Sequence, residues 1–194
     1  MRALWIGVWL LLPFALAAYH WGPGQERLVL DRADGLLREA ERLAADGQHA
    51  AAVSKWDEAL QALPADQVAA ARRARLERAK SAMLASGLPE ARTELLGLLD
   101  EVQADPGADP AFLAEVRGAL ASAEFYWTWL LKLEGQPREV WEPEVEAARQ
   151  HYSLLAEQAQ DPLERAARQK DLEATVRLAR MDENELQGLA IPDQ

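Results

Sequence analysis

The chain has 194 residues, with 32 Asp or Glu against 21 Lys or Arg and a formal net charge of −11. An acidic chain without a basic stripe repels phosphate, which argues against nucleic-acid binding. A hydrophobic fraction of 49% beside 27% charged residues excludes disorder by composition, and the absence of cysteine excludes disulfides, thiolate nucleophiles and Cys-bound zinc.

Ala, Leu, Glu and Arg outweigh β-branched residues, so helix is favoured nearly everywhere. The first 25 residues carry one formal charge, Arg2, ahead of an apolar run over residues 3–18. That order is an export pattern. Pro13 followed by Ala15, Leu16 and Ala17 fits the end of a cleaved signal peptide. Trp5 and Trp9, with Tyr19 and Trp21, fit instead the interfacial aromatics of an uncleaved single-pass membrane anchor. Both readings place the remainder outside the cytoplasm: in the cell envelope on a membrane tether, or periplasmic or secreted after cleavage. Gly22, Pro23 and Gly24 read as a hinge to the soluble part.

Asp31 reads as an N-cap, with a first helix running to about Asp46. Ala33, Leu36, Leu37, Ala40, Leu43 and Ala44 fall on one face of it. Gly47 supplies the turn. The second helix, from about His49 to Leu63, turns Ala52, Val53, Trp56, Ala59, Leu60 and Leu63 inward. Neither helix buries its stripe alone, so the two belong against each other.

From Gly47, alanine follows at +5, an aromatic at +9, alanine at +12 and proline at +17. With Leu36, Ala40 and Leu43 ahead of it, the set Gly47, Ala52, Trp56, Ala59 and Pro64 resembles a tetratricopeptide repeat over residues 33–64. Glu39 and His49 depart from that pattern, standing where an apolar residue and a tyrosine are usual. The resemblance implies antiparallel helix hairpins stacked as a short right-handed array. It also implies a mode of action, the holding of a protein or peptide partner.

A third helix over about residues 67–86 turns Val68, Leu76, Ala79 and Met83 inward and carries Arg72, Arg73, Arg75 and Arg78 on wetter sides. Gly87, Leu88 and Pro89 turn the chain into a fourth helix bearing Ala91, Leu95, Leu98, Leu99 and Val102. Gly87 echoes Gly47 as the start of a degenerate second repeat, one residue short in its interval. Asp109 and Pro110 cap and open a fifth helix to about Glu134, with Phe112, Val116, Ala119, Leu120, Ala123, Trp127, Leu130 and Leu131 as its stripe. Phe125 and Trp129 lie on a different flank. After Gly135, a sixth helix, starting near Glu142, carries Trp141, Val145, Ala148, Tyr152, Leu155 and Ala159. Asp161 and Pro162 start a seventh, with Leu163, Ala167, Leu172, Val176 and Ala179, which closes the domain of residues 26–181. Residues 182–194 read as a frayed acidic tail.

No catalytic grouping emerges. His20, His49 and His151 stand in separate elements, no glycine-rich loop follows a strand, and carboxylate pairs such as Glu142 and Glu146 read as solvated faces. We therefore expect a non-enzymatic protein with no cofactor, no metal and no small-molecule substrate. The aromatic concentration of Phe125, Tyr126, Trp129, Trp141 and Tyr152 has two readings: packing between hairpins, or a groove for a partner peptide. The expectation is an all-α scaffold or adaptor outside the cytoplasm, assisting assembly of a membrane complex. The alternative is a structural helical protein that assembles with copies of itself.

Overall fold

The computed structural model describes residues 23–182 and 185–186, so the readings made on the apolar segment lie outside the described residues. The described residues are all-α, with seven helices and no strand: α1 (Pro23–Ala45), α2 (His49–Ala62), α3 (Val68–Leu84), α4 (Leu88–Gln103), α5 (Pro110–Leu133), α6 (Arg138–Gln158) and α7 (Pro162–Arg180). The chain divides after Ala74, inside α3, into two compact units.

In the first unit α1 and α2 pack as an antiparallel hairpin. Ala40, Leu43, Ala52, Trp56 and Ala74 form its core, with Leu37, Ala44, Leu60 and Leu63 packed around them. The alanines let the backbones approach and the indole fills the space between them. Asp31 does not cap α1, which begins at Pro23. Proline is well placed in a first helical turn, and nothing from Gln25 to Leu30 interrupts the helix. Pro23 and Gly24 are thus the start of α1 rather than a hinge.

In the second unit α4 packs on α5, α5 on α6, and α6 on α7. Burial runs around most of α5. Phe125 and Thr128 are buried, whereas Phe112, Ala119, Trp127 and Leu130 of the expected stripe are only half-buried. Helix α6 keeps its expected face, with Val145, Ala148, Tyr152 and Leu155 buried, but begins at Arg138 and holds Pro143 inside it. Pro143 is the sixth residue of α6, so it removes the amide that would donate to the Glu139 carbonyl and costs the helix one bond near its start. Helix α7 turns Thr175 and Leu178 inward, and Leu163 is 80% exposed. Val68, at the start of α3, also faces water. Asp109 and Asp161 cap α5 and α7 as expected, accepting from the amides of Ala111 and Glu164.

Three helices end in the same hydrogen-bonded turn, with a residue of positive φ one step before the next segment. Gly47 has φ 75° and Gly135 has φ 67°. The amides of Gln48 and Gln136 donate back to the carbonyls of Leu43 and Leu131. At the end of α3 the left-handed residue is Ser86, with φ 67°, and the Gly87 amide donates to the Ala82 carbonyl. Gly87 itself has φ −101°, and a Cβ there would lie 3.2 Å from the Ala82 carbonyl oxygen. That glycine answers a close approach, not a backbone twist. Serine in the left-handed region is strained, so Ser86→Gly should stabilise the protein by about 0.5–1 kcal/mol. A urea unfolding midpoint that falls in this variant would contradict the assignment.

Candidate functional site

Phe125, Tyr126, Trp129 and Trp141 come together in one cluster of the second unit. Phe125 is buried with Val145, Leu178 and Leu186, and Tyr126, Trp129 and Trp141 pack partly buried around them. The Phe125 and Tyr126 rings meet edge to face, 5.8 Å between centroids. Tyr152 is not part of this group. It lies buried against Ala121 and Leu155, and its hydroxyl is 3.0 Å from the Ser122 hydroxyl. Phe125 and Tyr152 therefore present no surface, and the aromatic area left to solvent is the edge made by Tyr126, Trp129 and Trp141.

The end of the described chain closes over that cluster. Leu186, read from sequence as part of a frayed tail, is buried in it, and the Trp129 indole N–H donates to the Leu186 carbonyl at 3.4 Å. Asp182 and Glu185 hold this turn reciprocally, each side chain accepting from the other's amide. Beside it, Lys132 of α5 reaches the end of α7. Its Nζ donates to the carbonyls of Leu178 at 2.7 Å and Met181 at 2.8 Å, and lies 4.3 Å from the centre of the Trp141 ring. Burial holds the Lys132 ammonium below its ordinary pKa, with Asp182 pulling it back up. An open groove runs past this point, lined by Gln136, Arg138, Trp141, Arg180 and Met181.

Sequence reading missed a second feature of α5. Arg117, Glu124, Thr128 and Lys132 are all buried. At 100° per residue they fall within about 80° of one another, so they form a polar stripe along one face. Its signal was present in the sequence as polar residues recurring at helical spacing inside an apolar helix. Glu124 is 2% exposed, and its nearest basic atom is His151 Nε2 at 3.8 Å, beyond hydrogen-bonding distance. Arg92 of α4 pairs with Glu144 of α6 beside it. Burial lifts the Glu124 pKa to about 8, while the Arg92 guanidinium lowers it and the Glu144 carboxylate raises it. His151 is held below its usual value by burial and by the Arg117 charge. Glu124 Oε2, Arg92 Nε and Arg117 Nε are buried without a hydrogen-bond partner in the protein.

Of the residues quoted for the repeat, Ala40, Leu43, Ala52, Trp56 and Ala59 are buried. Leu36 and Pro64 are half-buried, and Gly47 is exposed at the turn. On the basic side of α3, Arg75 pairs with Glu94 and Glu101 of α4, and Lys80 pairs with Glu77 and Glu115. Among the described residues no three His, Asp or Glu are grouped so as to hold a metal ion. None of the described helices is long and apolar enough to cross a membrane. What these residues define is an all-α protein whose hairpins end in a common turn. No family model, curated protein or solved structure matches the chain.

Proposed function

We propose that the protein is a non-catalytic scaffold built on tetratricopeptide-like hairpins, tethered or exported through its N-terminal segment, that holds a protein or peptide partner outside the cytoplasm. The observation that carries this reading is a repeated register. Counting from the left-handed residue Gly47, positions +5, +9 and +12 are Ala52, Trp56 and Ala59. Counting from Ser86, the same positions are Ala91, Leu95 and Leu98, and all six are buried. The interval that looks one residue short from Gly87 is restored when the count starts at the residue that makes the turn. From Gly135 the register slips by one, to Val145 at +10 and Ala148 at +13, because α6 starts three residues after the turn rather than two. Hairpins built to one register are the units from which extended binding surfaces are made. The edge of Tyr126, Trp129 and Trp141, beside Arg138 and Arg180, has the residue types that anchor peptides.

A photo-crosslinking amino acid in place of Trp141, in the full chain in its native membranes, tests this reading. A discrete adduct with a second protein is the expected result. An adduct only with another copy of the chain would support the self-assembling alternative, and no adduct from Trp141, Trp129 or Tyr126 would sink both.

A further inference from the structure

We propose that Glu124, enclosed by Arg92 of α4 and by Glu144 and His151 of α6, is a proton-binding site that controls how tightly α4, α5 and α6 close on one another. The geometry gives two arrangements. With a neutral Glu124 carboxyl, Arg92 stays paired with Glu144 across the seam between α4 and α6. An ionised Glu124 puts a second carboxylate into the same 2%-exposed space, where Oε2 has no donor and the one guanidinium at hand is already engaged. The other buried donor of that guanidinium, Nε, makes no hydrogen bond in the protein and so does not meet Glu124 as the seam stands. Ionisation therefore sets Glu124 and Glu144 in competition for one arginine, and the seam has to open, either to let Arg92 move or to admit water.

The other charges around Glu124 do not remove this conflict. His151 is the basic group of α6 that lies beside Glu124, and its protonation is opposed by burial and by Arg117 from α5 itself. From α7 the charged residues facing this part of the bundle are Arg168 and Asp171, which act on Tyr152 and on each other. Thr128 has turned its hydroxyl back to the Glu124 main-chain carbonyl.

The sign of the effect is fixed by linkage. Glu124 binds its proton more tightly in the closed seam than in an open one, so closure is fully stable below the ordinary carboxyl pKa of 4.5 and weakens as pH rises toward about 8. His151 acts in the opposite sense, because closure favours its neutral form and its contribution is lost as pH falls below 6.5. From pH 7 to 8 the imidazole is mostly neutral in either state, and the slope comes chiefly from Glu124.

Hydrogen exchange on the full chain, corrected for the intrinsic pH dependence of exchange, reads the opening of the seam. Between pH 7 and pH 8 the opening constant for amides of α5 and α6 around residues 124 and 148 should rise about 5-fold in the wild type. In Glu124→Gln, which keeps the shape and cannot ionise, it should stay level, while the exposed control Glu142→Gln should follow the wild type. Equal slopes in wild type and Glu124→Gln, or a level wild type, would overturn the proposal. Should Glu124→Gln not fold, the ¹³C shift of the Glu124 carboxyl in wild-type protein decides the matter. A midpoint above pH 7 supports the site, and one in the ordinary carboxyl range refutes it.

Discussion

Replacing Trp56 by alanine should destabilise the first unit by about 3–5 kcal/mol. The indole is 2% exposed and sits among Ala40, Leu43, Ala52 and Ala74. Three of those four neighbours are alanines that cannot extend into the space, so a cavity left there would close only as far as Leu43 and the surrounding Leu37, Leu60 and Leu63 can shift. The ring nitrogen makes no hydrogen bond in the protein. Trp56→Phe consequently loses volume but no polar contact, and should cost only about 1–2 kcal/mol. Urea unfolding followed by hydrogen exchange of the α1 and α2 amides checks both variants. If the two were equally destabilised, the indole would have to be held by something other than its packing.

The hairpin around Trp56 was legible because its information is local. A glycine, small residues and an aromatic at fixed intervals state both the turn and the face, and Ala40, Leu43, Ala52 and Ala59 are buried where that pattern puts them. Caps were equally plain, since an Asp before a Pro carries its own physical reason to begin a helix, as Asp109 and Asp161 do. The register of the second hairpin was obscured by Ser86. Sequence invites the count to start at a glycine, yet the left-handed residue is the serine before it, and Gly87 is needed for clearance from Ala82.

The remaining differences lie on α5 and α7. Helix α6 keeps its expected stripe although it packs on both α5 and α7. Helix α5 contacts both α4 and α6, so its charged stripe of Arg117, Glu124 and Lys132 is covered as well. For α7 the apolar series Leu163, Ala167, Leu172, Val176 and Ala179 is less buried than Thr175 and Leu178, of which Leu178 belongs to the Phe125 cluster. The candidate site was therefore half legible. Sequence drew attention to the aromatics on α5 and α6, while the separation of Tyr152 from the others, the cover supplied by Leu186 and the Glu124 seam needed three-dimensional contacts.

Lys132→Met should destabilise the second unit by about 2–4 kcal/mol and expose the end of α7. The last carbonyls of a helix have no donor within it, and Lys132 supplies one charged donor to both Leu178 and Met181. A cation at that end also meets the negative pole of the helix, and the Trp141 face 4.3 Å away adds a further attraction. Methionine keeps the length and packing of the aliphatic stem, so the change isolates the ammonium and leaves the buried Leu178 carbonyl and the half-buried Met181 carbonyl without that donor. The same end of α7 leads into the turn that seats Leu186 under Trp129. Losing the Lys132 contacts should therefore loosen the cover of the aromatic cluster together with the helix end. Two readouts should move together: a lower urea midpoint, and faster tryptic cleavage after Arg177 and Arg180 under native conditions. Faster cleavage with an unchanged midpoint would mean that the α7 terminus frays independently of the core. An unchanged rate would mean that Leu186, rather than Lys132, holds the end of the bundle closed.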